Sequence, residues 1–250
     1  MSVPQLDATD RDILSLDKGI RWWDHDTRCT LVVSQPSSEP HLWREYLRGA
    51  LRSYRKHGVE RVLDLDTIRS GADTALFFAA VDDDGTVVGG VRAKGPYRSA
   101  EESHAVVEWA GCPGMNAVRK MIADRIPFGV VEMKTAWVSD DPERKRTLTK
   151  TLARTAYPTM ALLDVQFLMA TAATHVLESW RSSGGVVASK IPAAPYPNAD
   201  YRTKMMWWDR RTFVNHADPK QVSKMLAATA ELTAALDARG EMLAQSGRWS

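Results

Sequence analysis

The sequence predicts an α/β protein in which helices cover both faces of one mixed β-sheet. Short β-branched runs alternate along the chain with longer segments of helical periodicity, which is typical of this class. Within that alternation, residues 75–94 have the pattern of a β-hairpin, and residues 129–154 pass from a strand directly into a helix. The order of elements therefore indicates an α+β mixed sheet rather than an all-helical or all-β domain.

The composition indicates a soluble globular chain and argues against several other classes. Its 250 residues are 44% hydrophobic, which suffices for a sizeable core in one large domain or two small ones. A formal net charge of only +2 argues against a general nucleic-acid binder. Cys29 and Cys112 are far apart and lack metal-ligand spacing, so we expect a reducing compartment and no metal site.

No segment has the pattern of a targeting or membrane-spanning sequence. Residues 1–20 contain Asp7, Asp10 and Asp12, among other polar residues, and lack the apolar core of a signal peptide. The longest apolar stretch, 159–173, is interrupted by Asp164 and Gln166 and is too short to cross a bilayer. We therefore expect a cytoplasmic protein with no membrane span.

The first half of the chain contains a strand, a helix and the hairpin. Residues 29–33 form a β-branched run that follows a polar leader containing Trp22 and Trp23. A helix should then begin at a Ser38 cap and end before Gly58. The hairpin follows, and its turn is the segment 82–85, which reads as a solvated turn rather than a metal site.

The second half alternates helices and strands. The helix that starts at Pro142 should break or kink at Pro158, because proline cannot donate the helical hydrogen bond. The remaining predicted elements are a helix near 114–124, strands at 129–138 and 166–172, a helix at 174–183, strands at 186–188 and 203–208, and a final helix at 219–244. The apolar side of this last helix is predicted to contain Val222, Met225, Leu226, Leu232, Leu236 and Leu243.

The start of the helix at Pro142 is the strongest functional signal. A helix N-terminus has free N–H groups and partial positive charge, which suit anions. Three cations, Arg144, Lys145 and Arg146, occupy this first turn although the helix dipole alone favours acids there. They predict a phosphate or similar anion at this site, and the alternative is a solvated basic face.

The strand–helix unit and the hairpin together resemble the GNAT acyltransferase superfamily. Gly90-Val91-Arg92 followed by Pro96, and the strand from Glu132 to Val138, resemble the branch of acyl-homoserine-lactone synthases and long-chain N-acyl amino acid synthases. The resemblance covers roughly residues 29–210. It implies an N-terminal extension at 1–28, a GNAT-like domain at 29–213 and a C-terminal helical extension at 214–250.

The resemblance also implies an activity. It implies an N-acyltransferase that moves an acyl group, expected to be fatty, from acyl-CoA or acyl carrier protein to a small amine such as an amino acid. The acyl thioester would be a co-substrate, with no tightly bound cofactor and no metal. Two alternatives stay open: a short-chain acyl-CoA-dependent acetyltransferase, and a non-catalytic GNAT-like domain that dimerises through the helix at 219–244.

Two departures from the family pattern affect the donor site. The segment 144–149 lacks the glycines that let a backbone wrap a pyrophosphate, so contact should shift to side-chain cations, which suits an acidic carrier protein. Trp180 stands four residues before Gly184, where the family often has the tyrosine that protonates the departing thiolate. An indole N–H cannot serve as that acid.

Candidate catalytic and binding residues follow from the strand pattern. Glu132 is the candidate general base, and the alternative is an ion pair with Lys134 on the same strand face. Arg92 could bind an acceptor carboxylate, or could pair with Glu108 at the surface. Backbone N–H groups from Lys134 to Trp137 could polarise the thioester carbonyl. With Arg92, the candidate substrate-binding residues are Lys134, Trp137 and Trp180. Apolar lining for an acyl chain is expected from Met160, Met169, Met205, Met206, Trp207 and Trp208.

Overall fold

The computed structural model describes residues 14–246, and their side chains up to residue 238. Eight strands form one mixed sheet in the order β1-β2-β3-β4-β5-β6-β8-β7, which confirms the predicted mixed α/β class. The strands are β1 (Ile20–Asp24), β2 (Cys29–Ser34), β3 (Thr74–Val81), β4 (Val87–Lys94), β5 (Val130–Val138), β6 (Phe167–Ala173), β7 (Val186–Val187) and β8 (Thr203–Asp209). Neighbouring strands are antiparallel except for β5 and β6, which are parallel.

Among the strands of the described sheet, β1 is the one that the hydrophobic pattern does not predict. The sequence places Trp22 and Trp23 in a polar leader, but both lie in β1 and pair with β2 at the edge of the sheet. An edge strand has little apolar alternation to reveal it, and Trp23 is 43% exposed.

Eight helices cover the sheet in the described part of the chain. They are α1 (Pro40–Lys56), α2 (Leu65–Arg69), α3 (His104–Glu108), α4 (Met115–Ala123), α5 (Pro142–Arg154), α6 (Ala156–Leu162), α7 (Leu177–Arg181) and α8 (Pro219–Ser246). Helices α1, α3 and α4 pack on one face, and α5 to α8 pack on the other. The expected arrangement of helices on both faces is therefore confirmed.

Two helix boundaries differ from their predicted positions. The predicted Ser38 cap is wrong: Glu39 occupies the N-cap position of α1 without a side-chain capping hydrogen bond, and the Ser38 hydroxyl donates to the Leu16 carbonyl. The break at Pro158 is confirmed, but it comes one turn earlier. Helix α5 ends at Arg154, whose carbonyl has no N–H partner on Pro158, and α6 starts after Thr155.

Helix α8 uses its apolar side within the chain. Met225 and Leu232 are buried, and α8 packs against α6 and α5. Leu226, predicted for the same side, is 45% exposed because it lies one residue, about 100° of helix, from Met225. The predicted Leu243 lies outside the described side chains. None of the helices in residues 14–246 is long and apolar enough to cross a membrane.

Candidate functional site

Strands β5 and β6 separate halfway along their length. They pair from Val130 opposite Phe167 to Met133 opposite Ala170. Beyond that point β5 continues to Val138 and β6 to Ala173 without pairing to each other. The sheet therefore contains a gap between these two strands.

A bulge at Thr135 sets the direction of β5 at this gap. Thr135 has a φ of 55°, in the left-handed region that a β-branched residue rarely adopts. Its carbonyl accepts a hydrogen bond from the Tyr46 hydroxyl at 2.7 Å, and its hydroxyl accepts one from Arg92 Nε at 3.3 Å. The extra residue brings Trp137 to the same sheet face as Lys134, which simple alternation would not do.

Trp137 contacts α1 through a glycine. A Cβ atom on Gly49 would lie 2.0 Å from the Trp137 ring, so only glycine lets α1 approach the strand this closely. The indole lines the gap, and its N–H has no hydrogen-bond partner.

A cavity of about 400 Å³ occupies the gap and passes from one face of the sheet to the other. This volume lies within the usual range for small-molecule sites. Its apolar walls include Val59, Val62, Leu63, Met133, Ala136, Val138, Leu152, Ala170, Ala172, Val176 and Trp180. Its polar groups are concentrated on the α3 side and include His104, Glu108, Lys134, Thr171 and Tyr196.

Glu108 and Lys134 form the centre of the polar end. Lys134 Nζ lies 2.5 Å from Glu108 Oε1, which also accepts the Thr171 hydroxyl at 2.9 Å. The Glu108 side chain is 2% exposed, and its Oε2 has no hydrogen-bond partner. Burial raises the pKa of Glu108. Burial also opposes the charge on Lys134, but the nearby carboxylates Glu108 and Glu132 outweigh it and raise the pKa of the lysine.

His104 lies on the same wall. Its Nε2 is 3.0 Å from the Tyr196 hydroxyl and 3.8 Å from Glu108 Oε1. Burial, with the charge of Lys134, lowers the pKa of His104 to about 4, so the imidazole is neutral at pH 7. The sequence alone suggests a surface or capping histidine at this position.

Glu132 lies behind this wall rather than on it. The residue is fully buried, and the cavity lining does not include it. Its Oε2 accepts the Tyr97 hydroxyl at 2.5 Å, the Ser103 hydroxyl at 3.1 Å and the His104 backbone N–H at 2.9 Å. Its Oε1 lies 3.9 Å from Lys134 Nζ, so the ion pair between them is long. A role for Glu132 as the base stays a prediction, and such a base would have to reach the cavity through its neighbours.

Arg92 is also directed away from the cavity. It is 5% exposed, and its Nη1 donates to Asp73 at 2.7 Å and to the Thr74 hydroxyl at 2.8 Å. Its carboxylate partner is therefore Asp73, and the alternative of a surface pair with Glu108 is wrong. Opposite Arg92 on β5 lies Lys134, so these two like charges are each neutralised by an acid from outside the sheet.

The three cations at the start of α5 point in different directions. Arg144 Nη1 lies 3.5 Å from Asp82 in the hairpin turn, while Lys145 lines the cavity and Arg146 is exposed. Asp141 caps the helix by accepting the Glu143 N–H, so a carboxylate already occupies part of the expected anion site. Of the three predicted donor contacts, Lys145 is the one beside the gap.

Trp180 lies on the cavity wall. It is 7% exposed and packs edge-on against Trp208, with ring centroids 6.3 Å apart. None of the six residues expected to line an acyl chain lines this cavity. All six are buried in the core: Met160, Met169, Met205, Met206, Trp207 and Trp208.

Several wall residues have no candidate role in the sequence pattern. Glu108 gives the one readable signal, because it places a carboxylate inside the apolar run 105–111. Thr171 and Tyr196 give none, since they reach the site from a strand and a loop that are distant in sequence.

Comparisons with known proteins give a family and a fold. The chain is 57% identical over 232 residues to the uncharacterized protein Rv1356c of Mycobacterium tuberculosis and to the uncharacterized protein Mb1391c of Mycobacterium bovis. Each alignment covers 93% of this chain and 88% of the relative. No protein-family model matches the chain.

Among solved structures, FeeM, an N-acyl amino acid synthase from uncultured soil microbes, is similar with a TM-score of 0.52 and 12% identity. The match covers 76% of this chain and 95% of FeeM. The chain therefore shares its fold with FeeM, as the resemblance to long-chain N-acyl amino acid synthases implies.

Proposed function

This chain belongs to the family of the mycobacterial protein Rv1356c, and we propose that it transfers an acyl group from a thioester to an amine. The observation that carries the proposal is the cavity in the gap between β5 and β6, with apolar walls and a polar end. Amide formation needs a slot for the acyl chain and a site for the amine, and one cavity here offers both.

We assign the acyl donor and the amine acceptor to opposite faces of the sheet. On the α5 side the cavity is lined by Lys145, Thr149 and Leu152, which suits the donor arm and its phosphate. On the α3 side lie Glu108 and Lys134, which suit the polar acceptor. The amine nitrogen would attack the thioester carbon between them, and the carbon–sulfur bond would break. A thiolate with a pKa of about 8.5 leaves without much protonation, so Trp180 need not act as an acid.

The donor is proposed to be a long-chain acyl thioester, favoured on acyl carrier protein. Two features support a carrier: the start of α5 has no glycine, and Asp141 caps the helix where a pyrophosphate would bind. The apolar walls support chain burial, with about 0.8 kcal/mol expected for each added methylene. The acceptor is proposed to be a small amine such as an amino acid.

A donor series tests the chain length. Acyl-CoA and acyl-carrier-protein thioesters from about two to sixteen carbons should show kcat/KM rising roughly fourfold per methylene until the cavity is filled. Release of the free thiol, followed with a chromogenic thiol reagent, measures the rate. A series that is flat or highest with acetyl would favour the short-chain acetyltransferase instead.

The amine acceptor can be identified from the products that the protein makes in a host cell. Lipid extracts of a host that expresses the protein should contain new N-acyl compounds by mass spectrometry, and their fragments identify both halves. A matched host that carries the empty vector should lack them. Extracts identical to those of the empty host, together with purified protein inert towards every thioester, would support the non-catalytic domain.

A further inference from the structure

We propose that Glu108 receives the acceptor amine, accepting a hydrogen bond from the substrate ammonium group on its free Oε2 and then taking up one of its protons. The proposal rests on the N-acyltransferase function above and names the residue that recognises the acceptor. It differs from the sequence-based choice of Glu132, which has no contact with the cavity.

The first argument is the unequal use of the two Glu108 oxygens. Oε1 accepts from Lys134 and from Thr171, whereas Oε2 is buried without a partner. A buried carboxylate oxygen without a donor is costly, and native structures generally supply one. Glu108 lines the cavity, so a donor on a bound substrate can meet this need.

The second argument is the distribution of charge around Glu108. Glu108 and Glu132 share the single ammonium of Lys134, at 2.5 and 3.9 Å. Two neighbouring cations on this sheet face, Arg92 and Lys94, both pair with Asp73, at 2.7 and 3.8 Å. These six groups balance as a set, but the two carboxylates beside the cavity have only Lys134 between them, so an incoming ammonium would find an unused acceptor in Glu108 Oε2.

His104 does not supply the missing charge. Its lowered pKa keeps it neutral near pH 7, and its Nε2 is 3.0 Å from the Tyr196 hydroxyl. The site is thus matched to a primary amine rather than to an alcohol or a carboxylate. A carboxylate would be repelled by two acids, and a neutral hydroxyl would bond to the free carboxylate oxygen less strongly than an ammonium group.

The proton balance needs no additional reactant. The ammonium gives one proton to Glu108, and the neutral nitrogen then forms a bond to the thioester carbon. The carbon–sulfur bond breaks with its electron pair on sulfur, and the second nitrogen proton leaves with the departing thiol. Glu108 returns its proton to solvent. Burial raises the pKa of Glu108, which makes it a better proton acceptor than an ordinary carboxylate.

Binding can be tested without any acyl donor. We expect n-butylammonium chloride to bind the wild-type protein by titration calorimetry, and n-butanol of similar size to bind at least tenfold more weakly. Glu108→Gln should weaken n-butylammonium binding at least tenfold. The control Glu101→Gln removes an exposed carboxylate on the preceding turn and should leave binding unchanged.

Activity gives a second readout. With the acceptor found in the lipid extracts, Glu108→Gln should lower kcat/KM for the amine roughly 10²-fold, while the KM of the donor changes less than about twofold. Glu108→Asp should recover part of the loss.

The pH profile separates a proton acceptor from a structural residue. In the wild type, kcat/KM should fall as the pH drops through the raised pKa of Glu108, above the ordinary carboxyl value of 4.5, and this limb should disappear in Glu108→Gln. The charged and titratable groups that face Glu108 are Lys134, Glu132, His104, Tyr54 and Tyr196, and none of them is changed.

A second variant keeps the test decisive if Glu108→Gln does not fold. If Glu108→Gln unfolds because Lys134 loses its partner, the double variant Glu108→Gln/Lys134→Met removes both charges of the pair and should fold. Retained n-butylammonium binding, or a retained acid limb in either variant, would overturn the role of Glu108.

The outcomes also separate this inference from the proposed function. Acyl transfer that survives in Glu108→Gln would remove Glu108 and leave the acyltransferase function standing. Amine binding that depends on Glu108, in a protein inert towards every thioester, would support the amine site and remove the acyltransferase function.

Discussion

In the sequence, candidate site residues lie on one face of β5 and in the first turn of α5. The structure brings the β5 side chains together but separates the α5 side chains. Glu132, Lys134 and Trp137 lie on one sheet face around a buried polar cluster. The three cations of α5 spread over the hairpin turn, the cavity and solvent. A strand directs alternate residues to one face, whereas successive residues in a helical turn point about 100° apart. A run of like charges in a helix therefore does not make a shared site.

The two regions also differ in the energy of their contacts. Lys134 and Glu108 form a buried pair, and breaking such a pair by removing one partner typically costs about 3–5 kcal/mol. The ion pairs of Arg144 and Lys145 are longer, at 3.5 and 3.9 Å, and are partly exposed, which is typical of contacts worth less than about 1 kcal/mol. We therefore expect large effects from changes on β5 and small ones on α5.

Among the variants of β5, of Gly49 and of α5, the largest effect should come from Glu132→Gln, and it should be on stability. Three donors converge on Glu132 Oε2, so loss of the charged acceptor should lower the free energy of unfolding by about 2–3 kcal/mol in urea titrations. The loss in kcat/KM should stay below that of Glu108→Gln, because Glu132 does not line the cavity. A roughly 10²-fold loss with unchanged stability would instead identify Glu132 as the base.

Gly49→Ala tests how β5 is held against α1. Alanine normally stabilises the middle of a helix relative to glycine, by about 0.5–1 kcal/mol. Here the added methyl would lie 2.0 Å from the Trp137 ring, so we expect a net loss of about 1–2 kcal/mol. Thermal unfolding of both proteins measures it.

The matched double variant Gly49→Ala/Trp137→Leu should behave differently, since leucine removes the obstructing ring. In that background alanine at residue 49 should cost nothing or stabilise. Destabilisation of equal size in both backgrounds would mean that contact with Trp137 is not the cause.

The smallest effects are expected at the start of α5. Lys145→Ala should raise the donor KM up to about fivefold at low salt, with kcat nearly unchanged, because Lys145 lines the cavity while its ion pair with Asp140 is exposed. Arg144→Ala is the matched control and should change KM less, since Arg144 faces Asp82.

The dependence on ionic strength further distinguishes Lys145 from Arg144. The effect of Lys145→Ala should shrink as ionic strength rises, because exposed charges are screened beyond about 8–10 Å. A larger effect from Arg144→Ala, or equal effects from all three cations including Arg146→Ala, would restore the shared anion site that the sequence suggests.

Much of the architecture could be predicted from the sequence by itself. Strand and helix periodicities are local properties, so the hairpin at β3 and β4, the β5–α5 unit and the break before Pro158 all follow from neighbouring residues. The mixed α/β class, with helices on both faces of the sheet, follows from their order. The edge strand β1 does not, because half of its side chains face solvent and little apolar alternation marks it.

The site was decided by tertiary structure. The bulge at Thr135 moves Trp137 to the face of Lys134, and no alternation pattern predicts that shift. Glu108 meets Lys134 and Thr171 from elements 26 and 63 residues away in sequence. Local periodicity predicts which face of a strand or helix a side chain occupies. It does not predict which residues, distant in sequence, pack against that side chain. The sequence by itself therefore determined the scaffold of this protein, and only the folded chain determined which carboxylate reaches the cavity.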